Sequence, residues 1–184
     1  MKRLLILIVL VLAGCVEQTP EEIYKRVQDS GTITDRQAEI LSEGRRFVFD
    51  VLTSITDQQA EILSKLPRLS LDGLTSITDE QAESLSKLQS LSLNGVTSLT
   101  DKQGESLSKV WGNVLSLRGL TSITDEQAES LSKVKGHLTL SGLTSINDQQ
   151  AAFFSNGDYM SLQLDGLTSI TNKQAESLSK IRSL

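Results

Sequence analysis

The chain has 184 residues, 38% of them hydrophobic and only 4% aromatic, with one cysteine and one histidine. That inventory excludes a disulfide framework and does not support a zinc site, and the single histidine, His137, has no second residue type at a spacing that would make a catalytic dyad or triad. Eighteen basic residues against 23 acidic ones give a net charge of −5, and no basic stripe interrupts the sequence, which argues against nucleic acid as a partner.

Met1-Lys2-Arg3 is a basic start, and Leu4 to Leu12 is an unbroken apolar run. Nine residues are too few to span a bilayer and suit a signal peptide. Leu12-Ala13-Gly14-Cys15 closes the run with small residues. This segment resembles the lipobox of bacterial lipoproteins, which implies cleavage before Cys15 and lipidation of that residue. The alternative is a cysteine that merely follows a cleaved secretory signal. Cys15 has no disulfide partner in this chain, since it is the sole cysteine. Several acyl chains on one residue give stable anchoring where one does not. Because residue 16 is valine and not aspartate, the resemblance points to the outer membrane where the organism has one. Losing Lys2 and Arg3 with the leader takes the charge from −5 to −7. The chain thus divides into residues 1–14 as signal peptide and residues 15–30 as lipidated cysteine, short tether and capping helix. Residues 31–184 form a repeat domain.

Thr19-Pro20-Glu21-Glu22 has the chemistry of a helix start, with proline at the first helical position. Ile23 and Val27 lie on one face, so residues 20–28 read as a helix that covers the first repeat, ended by Ser30-Gly31.

From there one unit recurs, most regularly as Leu69 to Leu88, LSLDGLTSITDEQAESLSKL. Leu69, Ser70 and Leu71 alternate as in a strand with one buried face. Thr78 and Gln81 form a capping box, Ile77 and Ala82 stand at staple positions, and Asp79 and Glu80 suit the positive helix end. Ala82, Leu85 and Leu88 make an apolar stripe at helical spacing. The Ile-Thr-Asp-type start recurs at 33, 55, 77, 99, 123, 146 and 170, in steps of 22, 22, 22, 24, 23 and 24. The starts enclose six expected strands: Phe47–Phe49, Leu69–Leu71, Leu91–Leu93, Leu115–Leu117, Leu138–Leu140 and Leu162–Leu164. A single strand and helix cannot bury their apolar sides alone, so copies must stack. Parallel strands stack about 4.8 Å apart and helices need about 8–10 Å, so the stack curves with strands inside.

The run Leu74-Thr75-Ser76-Ile77-Thr78-Asp79, continued by Ala82 and Leu85, resembles the cysteine-containing leucine-rich repeats of F-box proteins and bacterial repeat proteins. The resemblance covers residues from about 31 to 184. It implies an α/β leucine-rich-repeat solenoid, a horseshoe with short parallel strands on the concave face and short helices on the convex face. It also implies a habit of binding proteins. The family's cysteine is replaced here by Leu52, Leu74, Val96, Leu120, Leu143 or Leu167, its helix glycine by Gln81 and counterparts, and no F-box is present. The ubiquitin-adaptor role therefore does not carry over.

Gly73, Gly95, Gly119, Gly142 and Gly166 follow the strands, but Val51 holds that place in the first copy. Glycine is thus expected for close approach between turns and not for a positive φ. The Thr-Ser pair before each helix has two readings, a ladder that satisfies loop backbone groups or plain solubility. Glu61–Lys65, Glu83–Lys87, Glu105–Lys109, Glu129–Lys133 and Glu176–Lys180 are helical i, i+4 pairs in the favourable order.

The concave face is expected to hold three columns: Arg46, Arg68, Ser90, Val114, His137, Ser161; then Val48, Ser70, Ser92, Ser116, Thr139, Gln163; then Asp50, Asp72, Asn94, Arg118, Ser141, Asp165. Its candidate contact residues are Arg46, Arg68, Asp72, Asn94, Arg118, Gln163 and Asp165. Two helix-to-strand loops depart from the repeat. One carries Trp111 and the other Tyr159 and Met160, with Lys135 and His137 in the copy between. These five form a candidate binding rim, the alternative being that the aromatics cover the edge of the core. No metal, cofactor or catalytic residue is assigned, and Asp50, Asp72, Asn94 and Asp165 read as solvated groups ahead of a weak cation site. The expected function is that of a lipid-anchored, non-enzymatic cell-envelope module that binds a protein partner, with a structural spacer as the alternative. By alignment of Ile181 to Leu184 with Leu88-Gln89-Ser90-Leu91, Leu184 would be the first residue of a seventh strand. The edge after Leu164 is therefore either open to self-association or closed by the final helix.

Overall fold

The computed structural model describes residues 18–44 and 46–181. Along them run α1 (Pro20–Ser30), α2 (Asp35–Leu41), β1 (Arg46–Val48), α3 (Asp57–Leu63), β2 (Arg68–Ser70), α4 (Asp79–Leu85) and β3 (Ser90–Ser92). Then follow α5 (Asp101–Leu107), β4 (Val114–Ser116), α6 (Asp125–Leu131), β5 (His137–Thr139), α7 (Asp148–Ser155), β6 (Ser161–Gln163) and α8 (Asn172–Leu178). The strands form one open parallel sheet in chain order, β1 to β6. Phe47, Leu69, Leu91, Leu115, Leu138 and Leu162 stand in register across it. Helices stack on neighbouring helices along the other side. The chain is an α/β solenoid, with strands inside and helices outside.

Each strand begins one residue earlier than the leucine pattern predicts. The cause lies in the loops ahead of the strands. The backbone N–H groups of Ser90 and His137 donate to Pro67 and Asn113 of the preceding turn, at 3.1 and 2.8 Å, and draw those residues into the ladder. At the other end the bonding runs on, with Leu71 N–H donating to Ser92 O at 2.9 Å. The expected faces hold: Leu91 and Leu93 are buried and Ser90 and Ser92 are half-buried. Among the described residues every core side chain lies between Ile23 and Ile181, so a chain that starts after residue 15 keeps all of these.

α1 runs to Ser30, two residues past its expected end, and Gly31 closes it at φ +65 with its N–H on Val27 O. Ile23 and Val27 are buried against the first repeat. Tyr24 Oη and Gln28 Nε2 both donate to Val48 O, at 2.9 and 2.6 Å, which supplies the edge of β1 with donors that no earlier strand provides.

The later repeats are held by two constraints on one rim. None of the glycines after the strands has a positive φ. A Cβ at Gly95 would collide with the carbonyl oxygens of Asp72 and Leu74, and the other four meet the same pair in their own preceding turns. Close approach is the reason for glycine, as Val51 implied. Beside it runs a ladder of glutamines. Gln103 Oε1 accepts from Thr100 N–H, and its Nε2 donates to Ile77 O of the preceding repeat at 3.0 Å. Gln59, Gln81, Gln127, Gln150 and Gln174 do the same toward Ile33, Ile55, Leu99, Ile123 and Ile146, at 2.8–2.9 Å. All six are buried. This ladder does the stitching that the Thr-Ser pairs were candidates for. Those pairs are exposed, and Thr168 supplies the one side-chain bond among the described Thr-Ser residues, to Thr144 O at 3.3 Å. Next to the glutamines, Thr78, Thr100, Thr124 and Thr171 donate to Asp57, Asp79, Asp101 and Asp148 of the preceding helix.

Of the five outer Glu–Lys pairs, Glu105–Lys109 and Glu129–Lys133 close, at 3.3 and 3.5 Å. The side chains are largely exposed, where water competes for both partners.

Two expected outcomes test this packing. Leu93→Ala empties a site in the middle of the core and should cost about 2–5 kcal/mol in chemical denaturation. Gln103→Glu keeps the local cap acceptor but loses the donor to Ile77 O, and should cost about 1–3 kcal/mol. Burial against a carbonyl raises the introduced carboxyl's folded pKa above its unfolded value. The loss should therefore deepen as pH rises through the unfolded value of about 4.3 and shrink below it. Gln37→Glu, where no earlier repeat awaits the donor, should be nearly neutral.

Candidate binding surfaces

The inner face presents the three expected columns, and they differ in how free they are. In the first, Arg46 and Arg68 are exposed, stand opposite each other in register, and have no carboxylate within 4.0 Å among the described residues. His137 is exposed further along the same column. The third column is largely occupied with the fold itself. Ser70 Oγ donates to Asp50, Ser92 Oγ to Asp72 and Ser116 Oγ to Asn94, at 2.7, 2.6 and 2.7 Å. The backbone N–H groups of Asp72, Asn94 and Arg118 donate to the acceptor one repeat back. Asp72 and Asn94 are half-buried in this chain of bonds, while Arg118 is exposed. At the last strand, Gln163 and Asp165 are exposed and accept from Thr139 and Ser141. Among the described residues no three His, Cys, Asp or Glu side chains gather as a metal site.

On the helix-to-strand rim the five candidates part company. Trp111 is 67% and Met160 61% exposed, and Lys135 and His137 are also exposed. Trp111 Nε1 donates to Lys87 O at 3.1 Å, so the indole lies back along the loop of the preceding repeat. Tyr159 turns the other way. Its ring packs on the core and fills the space where a Cβ on Gly157 would stand. Its hydroxyl is sealed from solvent with no hydrogen-bond partner, and burial pushes the phenol well above the usual tyrosine range. Sequence reasoning treated both aromatics alike. The adjoining Gly157, which admits the ring, was the available signal.

At the far end Leu164 and Leu178 are buried, Leu167 is half-buried and Ile170 is 48% exposed, around a groove of about 430 Å³. Leu184, the expected first residue of a seventh strand, lies outside the described residues, as does Cys15 with its leader.

Along the strand-to-helix rim the acids follow the helix starts. The hydrogen bond from Thr100 leads in holding Asp79 below the usual carboxylate range, with Lys102 beside it at 3.4 Å. At Asp148, Lys173 at 3.1 Å leads, with Thr171 behind it. The whole chain matches no protein-family model. No curated protein matches it significantly.

Tyr159→Phe should raise the thermal midpoint, because it removes a buried hydroxyl that costs about 1 kcal/mol or more unbonded. Trp111→Ala should leave the midpoint nearly unchanged. A fall at Tyr159→Phe would mean that the hydroxyl has a partner in solution.

Proposed function

We propose that this chain is a lipid-anchored binding module of a bacterial cell envelope, of the leucine-rich-repeat kind, and that it acts through contact and not catalysis. The repeat solenoid supports the family resemblance, since the inward leucines, the cap threonines and the turn glycines each have the job that such a repeat requires. The observation that carries the binding reading is the Arg46–Arg68 pair. Two like charges opposite each other across strands cost stability. A planar guanidinium pair is suited to forked contacts with carboxylates. An acidic polypeptide segment laid along the inner face would neutralise both groups, and Ser90 and Val114 leave it room beyond them. The spacer reading draws on a different observation, the use of Ser92, Asp72 and Asn94 within the fold.

The address rests on Leu12-Ala13-Gly14-Cys15. With an anchor at Cys15, the residues before α1 span on the order of 15 Å at most, so the first repeats stay close to the membrane. Two measurements check the proposal. Fatty-acid labelling and membrane fractionation should both be lost in Cys15→Ser, and equal labelling would remove the anchor. Crosslinking in the membrane followed by capture should yield a protein partner that Arg46→Ala with Arg68→Ala weakens at least tenfold, without a change in melting. Unchanged capture leaves the spacer reading in place.

A further inference from the structure

The middle of one rim of this molecule is basic, and the opposite rim is rich in acid. The four middle helix-to-strand loops, over residues 64–67, 86–89, 108–113 and 132–136, contain Lys65, Lys87, Lys109, Lys133 and Lys135 and no acid, while the loops at the two ends of the row carry Glu43 and Asp158. The opposite rim carries Asp57, Asp79, Asp101, Asp125 and Asp148 at the helix starts. The basic loops form one continuous row and are not scattered tips. Gln89 N–H donates to Pro67 O, Asn113 N–H to Gln89 O, His137 N–H to Asn113 O and Met160 N–H to Gly136 O, at 2.7–3.2 Å. Lys109 and Lys133 have glutamate partners, while Lys65, Lys87 and Lys135 have none within 4.0 Å among the described residues. On the same row stand Trp111 and Met160, the two most exposed large apolar side chains of the described residues.

We infer that this rim docks on an anionic lipid surface. Lysines with long aliphatic stems, an aromatic ring and a thioether on one edge are the residue types that settle at a headgroup boundary. The continuous row lies on one edge of the solenoid, and clustered lysines are drawn to anionic headgroups. Trp111 is prepared for the apolar side of that boundary, because its N–H is already bonded to Lys87 O. Burying the ring therefore strands no donor. The opposite rim is repelled by the same surface, so docking fixes the solenoid on edge and leaves the inner face open sideways. The inference does not depend on acylation of Cys15.

The test uses the chain from residue 16 onward, which keeps every core side chain of the described residues, with vesicles of phosphatidylcholine alone or mixed with phosphatidylglycerol. Trp111 is the sole tryptophan, so its emission reports this rim alone. Co-sedimentation and a blue shift are expected with the mixed vesicles only, both weakening as salt is raised. Lys87→Gln and Lys135→Gln should each weaken binding about fivefold. Lys102→Gln on the other rim should not, and all three variants should melt like the parent. Absence of both signals on mixed vesicles would overturn the inference, as would equal losses from the two rims. A shift with polyglutamate but not with vesicles would also overturn it, and assign the rim to an acidic protein.

Discussion

The glutamine at the third helical position joins the repeats where the sheet cannot. Strand hydrogen bonds tie the inner edges together, and in the loops that lead to the helices only single longer backbone bonds follow, such as Thr97 N–H to Thr75 O at 3.4 Å. In those loops the backbone carbonyl of Ile77 and its counterparts lies buried and needs a donor. Gln103 gives it one while its other amide atom closes the cap of its own helix. One side chain therefore sets both where a helix begins and how far it sits from the previous repeat. The glycines follow from this spacing, since at that separation no Cβ fits beside the carbonyls of the preceding turn. The aspartates follow as well, placed to accept from the next cap threonine.

The same constraint explains where the repeats differ in length. From the last strand leucine to the helix cap the count is constant, as Leu71 to Thr78 and Leu117 to Thr124 illustrate. All the added residues fall on the opposite rim, such as those around Trp111. That rim is tied by a simple backbone row, which tolerates an enlarged loop. Variation and candidate contacts thus collect on one side, while the other is fixed by amides, carboxylates and close backbone contact.

Much of this was legible in the residues. The Leu69-x-Leu71 alternation and the Thr78–Gln81 cap located strands and helices to within a residue, because local chemistry and the repeat agree. Val51 in place of glycine revealed that the site requires proximity and not an unusual φ. The glutamine's second bond was harder to read, since glutamate satisfies a capping box equally well. The clue was the recurrence of glutamine at that position in every helix start after α1, where Glu22 closes the box, although Gln37 has no such second bond among the described residues. The Thr-Ser pairs admitted two readings, and their exposure, with one side-chain bond at Thr168, favours solubility over a side-chain ladder. The rim aromatics were legible as a group and not one by one. Whether a loop aromatic folds inward depends on what occupies the space at the neighbouring glycine, which is the Tyr159 ring at Gly157 and the Gln89 backbone at Gly112.

Each of the connecting bonds reaches one repeat back and no further, from Gln103 to Ile77 and from Gln81 to Ile55. A gene for such a chain can gain or lose a whole unit without leaving a bond unmatched, because the new neighbours meet on the same donors and acceptors as the old. A half unit fits nowhere, since it would set caps opposite strands. Copy number is therefore the cheapest variable open to its evolution, and the length of both rims changes with it in steps of one loop.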